Sequence, residues 1–473
     1  MASELPDGIL MQIFAALDVP DLVRAGSVCS AWHAAYTCLC TLGRWKQQQT
    51  PCILYTAKSL GESAAGLYSL AEKKTYTLAA LPDPPIRSRH FIGSAYGWIV
   101  TADERSELHL LNPITGDQIE LPSITTIESV TPVYDEKGAI KEYSSWCPLP
   151  GRHGQPSNYS LRKLRDTFFD KVFLSSDPST GDYIVALIHS PYYQFSFVRS
   201  GDDCWTSLPL HDEFPHFADC IFKDDLMYAV TVSGKIHVFN FSGPVVKQKA
   251  VLDRMRDYWF ERVYIVETPC GDLLQIWSDI DQIDDGADPE PEPELLEENE
   301  DFSEPDDMPD EYEPCRHYCT PFKLFKVDLA ANKLVDVNSL GDSVLFLGQN
   351  QTFCLNAKEH PQLKANCVYF TDTDEDATMR KNMIRDVGVL NLCDRSKEKI
   401  VSPQIWSNWP SPMWITPNPR KMNSVKGRRT EGTAQDQAPP TSSLRNQLQV
   451  SDAYLLLSFQ VVTLYSNIHE DTL

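Results

Sequence analysis

Apolar and polar residues alternate from about residue 51 to residue 419, broken every few positions by Gly, Pro and Asn turns. That pattern predicts a mainly β chain. Ahead of it, residues 1–45 carry helical periodicity in three short pieces, so a small all-α unit precedes the strands. The hairpins end in Leu-Pro steps whose spacing matches the period of radially repeated sheets. Together these observations select a β-propeller of about six to seven blades behind a three-helix head.

The first helix opens at Leu5-Pro6-Asp7, with a proline and an acid where a helix start accepts them. Ile9, Leu10, Ile13, Phe14 and Leu17 follow as an apolar stripe. Residues 18–21 form a turn before a second short helix carrying Leu22, Val23 and Ala25, and Gly26-Ser27 breaks the chain again. Val28, Cys29, Trp32 and Ala35 give the inward face of a third helix. Three helices in about 40 residues fall where a unit struggles to hold itself together. The stripe therefore calls for a partner or a neighbouring domain.

Strand pairs then follow one another around 112–116, 177–181, 233–234, 269–271 and 330–332, with almost no helical period between them. Leu81-Pro82, Leu121-Pro122 and Leu208-Pro209 lie 40 and 87 residues apart, with a relative at Leu340-Gly341. With propeller blades running ~40–50 residues, the intervals read as one, two and two blades. Radial closure also manages the strand edges that a meander of this length would otherwise expose.

Residues 279–313 stand apart, with 18 acids, five prolines and no Lys or Arg in 35 residues. So little apolar surface cannot offset chain entropy, and a disordered loop between strand pairs is expected. Solvating filler is the plainer reading of it, and a docking lure for a basic partner the sharper one. The full chain has 473 residues and a net charge of −24, and removing this insert leaves it near neutral. Nucleic-acid binding is disfavoured, because phosphate affinity rests on Lys and Arg. Past residue 419 the chain turns basic and then rich in Pro, Ser and Gln, a low-complexity tail over 420–473.

The spacing Leu5-Pro6-x-x-Ile9-x-x-x-Ile13-Phe14-x-x-Leu17, then Asp21-Leu22-x-Arg24-Ala25, then Val28-Cys29-x-x-Trp32, resembles an F-box. The resemblance implies packing onto the small adaptor of Skp–cullin–F-box ubiquitin ligases through Leu5, Pro6, Ile9, Ile13, Phe14, Leu17, Leu22, Val28, Cys29 and Trp32. Residues 51–419 resemble the plant propeller family of the KIB type, commonly preceded by an F-box. The segments that carry this are Gly93-Ser94-x-x-Gly97-Trp98, Leu110-Leu111-Asn112-Pro113-x-Thr115, Ser175-Ser176-Asp177-Pro178, Trp205-Thr206 and Gly271-Asp272-Leu273-Leu274. Phe346-Leu347-Gly348, Tyr369-Phe370-Thr371-Asp372, Asp386-Val387-Gly388-Val389 and the 406–417 run continue the series. The implied role is recognition: the propeller holds an unidentified target protein while the adaptor connects to a cullin.

Catalytic motifs are missing. The sequence has no Gly-rich phosphate loop, Gly-x-Ser-x-Gly elbow or His-Glu-x-x-His. Cys315, His317 and Cys319 fit no common zinc spacing. Asp372, Asp374, Glu375 and Asp376 lack the glycine and distal Glu of a calcium loop. Trp406, Trp409 and Trp414 read either as a stacking platform or as packing at ring closure. No cofactor, metal or catalytic residue is expected, and no membrane partner. The 13 cysteines read as reduced, mostly buried thiols of an intracellular protein, cytoplasmic and/or nuclear. A propeller enzyme, such as a sugar hydrolase with the helices as a structural cap, stands as the alternative.

Overall fold

The computed structural model describes residues 5–79, 81–147, 155–208, 216–253, 262–278, 280–281, 318–319, 322–371, 381 and 384–422. Most of the acidic insert, the tail beyond residue 422, Cys315, His317 and Asp372–Asp376 lie outside them. Three helices come first: α1 (Asp7–Ala15), α2 (Val19–Gly26) and α3 (Ser30–Leu42). Eight sheets follow among the described residues, six of them the blades of a propeller, and strand neighbours pair antiparallel apart from one parallel pairing in the last blade.

Blade 1 is composite. Its strands Cys52–Tyr55, Ala65–Ser69 and Lys74–Leu78 are completed by Met413–Ile415 from the far end of the chain. Blade 2 spans strands His90–Ala95 to Gln118–Glu120, blade 3 Phe169–Leu174 to Thr206–Ser207, and blade 4 Phe217–Lys223 to Lys247–Leu252. Blade 5 runs from Arg262–Glu267 to Lys333–Val337. Blade 6 has five strands, with Ser343–Leu347 parallel to Cys367–Thr371. The innermost strands of consecutive blades are in contact from blade 1 to blade 6. Phe346 of blade 6 meets Trp414 of blade 1 edge-on at 5.1 Å and closes the ring.

The 87-residue interval between Leu121 and Leu208 holds one blade, not two. The remainder leaves the ring as a three-stranded sheet, Val130–Tyr134, Ile140–Ser145 and Ser157–Ser160, followed by helix α4 (Leu161–Thr167). Tyr143 of this sheet is fully buried against blade 2 residues, and its hydroxyl donates to the Arg105 carbonyl at 2.8 Å. Burial of one aromatic thus anchors an excursion whose spacing imitates a blade.

Each of six apolar clusters fills one seam between neighbouring blades. Strand alternation explains the allocation. In Cys52–Tyr55, Cys52 and Leu54 enter the seam with blade 2, while Ile53 and Tyr55 enter the seam with blade 6. Both faces of a blade are covered, so its strands read as nearly continuous apolar runs. Helices α1–α3 extend the blade 1–2 seam: Leu10, Phe14, Val19, Leu22, Ala35 and Leu39 share one cluster with Leu54, Tyr76, Phe91 and Ile415. Eleven cysteines are free thiols. Four are buried, at Cys40, Cys52, Cys220 and Cys367, and four are exposed, fewer buried than the sequence suggested. No described helix is long and apolar enough to cross a membrane.

Candidate functional site

Helix α1 has two apolar faces. Leu10 and Phe14, one turn apart, point into the seam, where the Phe14 ring meets Trp32 edge-on at 5.3 Å. Ile9 and Ile13, one residue earlier in each case, lie about 100° around the helix and are each 46 % exposed. Leu5, 50 % exposed, and Val28, 56 % exposed in the turn ahead of α3, join them. Scattered exposed apolar residues are ordinary, but several on one small helical unit mark an interaction surface.

The ten residues expected to meet the adaptor fall into three settings. Leu5, Pro6, Ile9, Ile13 and Val28 are exposed; Leu17, Cys29 and Trp32 are half-buried; Phe14 and Leu22 are buried within the protein. The last two cannot reach a partner. They seat α1 and α2 on the ring and leave the exposed stripe facing outward. Leu42, 53 % exposed at the end of α3, was not singled out by the sequence, because its spacing continues the buried 35–39 face.

Charges fix the helices from outside. Arg24 of α2 binds Asp21 and reaches Glu72 of blade 1 at 3.0 Å, and Lys46 binds Asp18 at 2.6 Å. The backbone N–H of Val19 donates to Gln49 Oε1 at 2.7 Å. These partners follow from folding and carry no sequence signal.

At the ring axis, residues 348–352, between two strands of blade 6, form a polar plug. Gln351 N–H donates to the Ser94 carbonyl at 2.9 Å, and its side-chain oxygen accepts from Leu174 N–H at 3.0 Å. Gln349 donates to the Asp170 carbonyl at 3.2 Å, and Thr352 Oγ1 donates to Asp219 Oδ2 at 2.8 Å. Blades 2, 3 and 4 are thereby tied to blade 6 across the centre. Lys171 and Asp219, both fully buried, form an ion pair at 3.0 Å that is not aligned as a hydrogen bond. Asp219 Oδ2 also accepts from Ile265 N–H at 3.0 Å. Burial pushes the Asp219 carboxyl up, and the Lys171 charge opposes that rise.

On the end of the ring away from the helices, Trp409 lies between two cations. The Arg165 guanidinium is 4.7 Å from its ring centroid and the Lys381 ammonium 5.1 Å. Both bind Asp166, at 2.7 and 3.0 Å. Burial works against the Asp166 charge, yet Arg165 and Lys381 hold its carboxyl below the usual range. Trp406 and Trp414 are buried in the blade 6–1 seam instead. Thus two of the three tryptophans close the ring, and the third is enclosed by its own charges.

His189 gives this end a pH response. Its ring stacks on Phe168 at 5.0 Å, with Nδ1 against the Ser190 carbonyl at 2.7 Å and Nε2 against Ser196 Oγ at 2.8 Å. Burial lowers its pKa to about 4. The folded protein keeps the ring neutral while the unfolded chain protonates below its ordinary value, so stability present at neutral pH is lost as pH falls from about 6.5 to 4. The expected loss from this group is about 3 kcal/mol, at ~1.4 kcal/mol per pH unit. Denaturant melts of the wild type and His189→Gln at pH 7 and pH 4 check it. The wild type should lose more than the variant, and parallel losses would contradict the assignment.

The sequence model of the KIB1-4 β-propeller matches residues 67–391, and that of an F-box-like module matches residues 2–39. The chain is similar to the F-box only protein 7 of Arabidopsis thaliana, at 27 % identity over 259 residues, covering 52 % of this chain and 59 % of that protein. The match thus spans less than two thirds of that relative's length. It is similar also to the F-box protein KIB4 of the same plant, at 25 % identity over 390 residues, covering 80 % of this chain and 82 % of that protein. Among solved structures, a luciferin-regenerating enzyme aligns at a TM-score of 0.26 and 9 % identity over 48 % of this chain and 69 % of that one, a likeness too slight to bear on function.

Proposed function

Because the chain belongs to the KIB1-4 β-propeller family and begins with an F-box-like module, we propose that it is the substrate-recognition subunit of a Skp–cullin–F-box ubiquitin ligase. Its helices bind a Skp-type adaptor, and through it a cullin, while the propeller over residues 51–419 holds a target protein. The observation that carries this reading is the second apolar face of α1, with Ile9 and Ile13 uncovered beside Leu5 and Val28. An ordinary structural cap needs only one apolar face, and Leu10 and Phe14 already supply it.

The axial plug supports a receptor over a sugar-hydrolase propeller. Paired carboxylates need a cavity that admits a sugar between them, whereas residues 348–352 occupy the axis and Asp219 is bound to Lys171, Ile265 and Thr352. The receptor contributes proximity, an effective concentration of target near the ubiquitin-charged partner. Co-expression with a Skp-type adaptor tests it. A stoichiometric complex on gel filtration is expected. Failure of the wild-type chain to co-elute with the adaptor would overturn the reading.

A further inference from the structure

We propose that residues 413–422 act as a positioning strap, coupling closure of the ring to the docking of α1–α3. The strap would then set the direction in which the exposed stripe points relative to the propeller. The docking claim stands on the structure alone; its consequence for ubiquitin transfer rests on the receptor reading above.

The first observation is where the helices sit. They cover the seam of blade 1, whose innermost strand, Met413–Ile415, pairs with Cys52–Leu54 and lies more than 350 residues later in the sequence. Met413 and Ile415 belong to the same apolar cluster as Leu10, Phe14, Val19, Leu22 and Leu39. The seat for the helices is therefore complete only when the C-terminal strand is in place.

Beyond Ile415 the strap makes a chain of polar contacts that a simple closing strand would not need. Asn418 is 7 % exposed. Its Nδ2 donates to the Tyr96 carbonyl at 2.8 Å and to Asp177 Oδ2 at 3.0 Å, its Oδ1 accepts from Arg420 N–H at 2.9 Å, and its carbonyl accepts from Asn112 Nδ2 at 3.0 Å. Asp177 is itself held by the Trp98 indole N–H at 3.2 Å. One asparagine thus joins blades 2 and 3. Gly97, at φ +81°, leaves the space that this approach requires, because a Cβ there would collide with Asn418.

Two residues later the strap reaches the helical head. The Arg420 guanidinium lies 5.3 Å from the Trp45 ring, 3.6 Å from Asp177, and against Gly43, the left-handed residue that ends α3. A cation at a helix C-terminus complements the helix dipole, and stacking on indole adds to it. Met422 N–H then donates to Asp117 Oδ2 at 2.9 Å. The direct ties from the helices to blade 1, such as Arg24 with Glu72, are partly exposed and so are weak holders of orientation. The apolar seam and the strap carry the rest.

Amide hydrogen exchange on the full chain tests the coupling, comparing the wild type with Asn418→Ala/Arg420→Ala. Exchange in α2, α3 and Cys52–Tyr55 should rise together, by tenfold or more, while Ile236–Asn240 of blade 4 keeps its protection. Adaptor affinity should change less than twofold. In a reconstituted ligase the set of self-modified lysines should widen, a readout that loss of stability alone does not move. Unchanged exchange in the helices, or an equal rise in every blade, overturns the proposal. Should the double variant fail to fold, Arg420→Ala, at a partly exposed side chain, is read by the same criteria. Exchange needs no adaptor, so failure of the receptor reading and failure of the strap are separately visible.

Discussion

Replacing Ile9 and Ile13 together by aspartate will abolish capture of a Skp-type adaptor and leave the melting transition of the protein almost unmoved. Both side chains are 46 % exposed and one turn apart on α1. Changes at such positions usually shift stability by no more than about 0.5 kcal/mol each. In a buried contact the same two carboxylates would be stripped of water without a partner, at a cost of several kcal/mol. Binding should weaken by at least ~1000-fold, about 4 kcal/mol. The control is Phe14→Asp, on the inner face at 1 % exposure. It should lower the melting temperature first and affect binding only as a consequence. Pull-down beside calorimetry separates the two faces. Retention of adaptor by the Ile9/Ile13 variant would remove the stripe from the interface.

That the two faces of α1 could not be told apart in the sequence has a physical cause. Ile9, Leu10, Ile13 and Phe14 form two adjacent i, i+4 pairs, and helical period alone merges them into one broad stripe. Only the presence of blade 1 beneath Leu10 and Phe14 divides it. The helices themselves and the strand–turn–strand units were legible, since both follow from local period and turn chemistry. Blade count was only bracketed, because the off-ring sheet at Val130–Ser160 uses the same alternation as a blade. Seam assignment was hidden for a different reason. A strand covered on both faces, such as Cys52–Tyr55, has no polar side to mark its orientation. The strap and the plug were least visible of all, being made of Asn, Gln, Thr and Arg whose partners lie as many as 322 residues away.

Asp219→Ala should lower stability by about 3–5 kcal/mol, the usual result of leaving one member of a buried ion pair without its partner. The reason lies in the position of the pair. Lys171 and Asp219 belong to the inner strands of blades 3 and 4, and Asp219 also holds Ile265 of blade 5 and Thr352 of the plug. Without the carboxylate, the Lys171 ammonium is left among Phe173 and Tyr264, whose ring centroids lie 5.5 and 5.0 Å away. Cation–π attraction, about 2 kcal/mol for a desolvated contact, offsets part of the desolvation. The Ile265 N–H and Thr352 hydroxyl lose their acceptor as well. Expected is a fall in melting temperature of about 5 °C, with Lys171→Met/Asp219→Leu recovering a large share because it removes both buried charges. Equal loss in the single and double variants would mean that the hydrogen bonds to Ile265 and Thr352, not the charge pair, tie the blades to the plug. No loss in either would show that the ring is held by its six apolar seams alone.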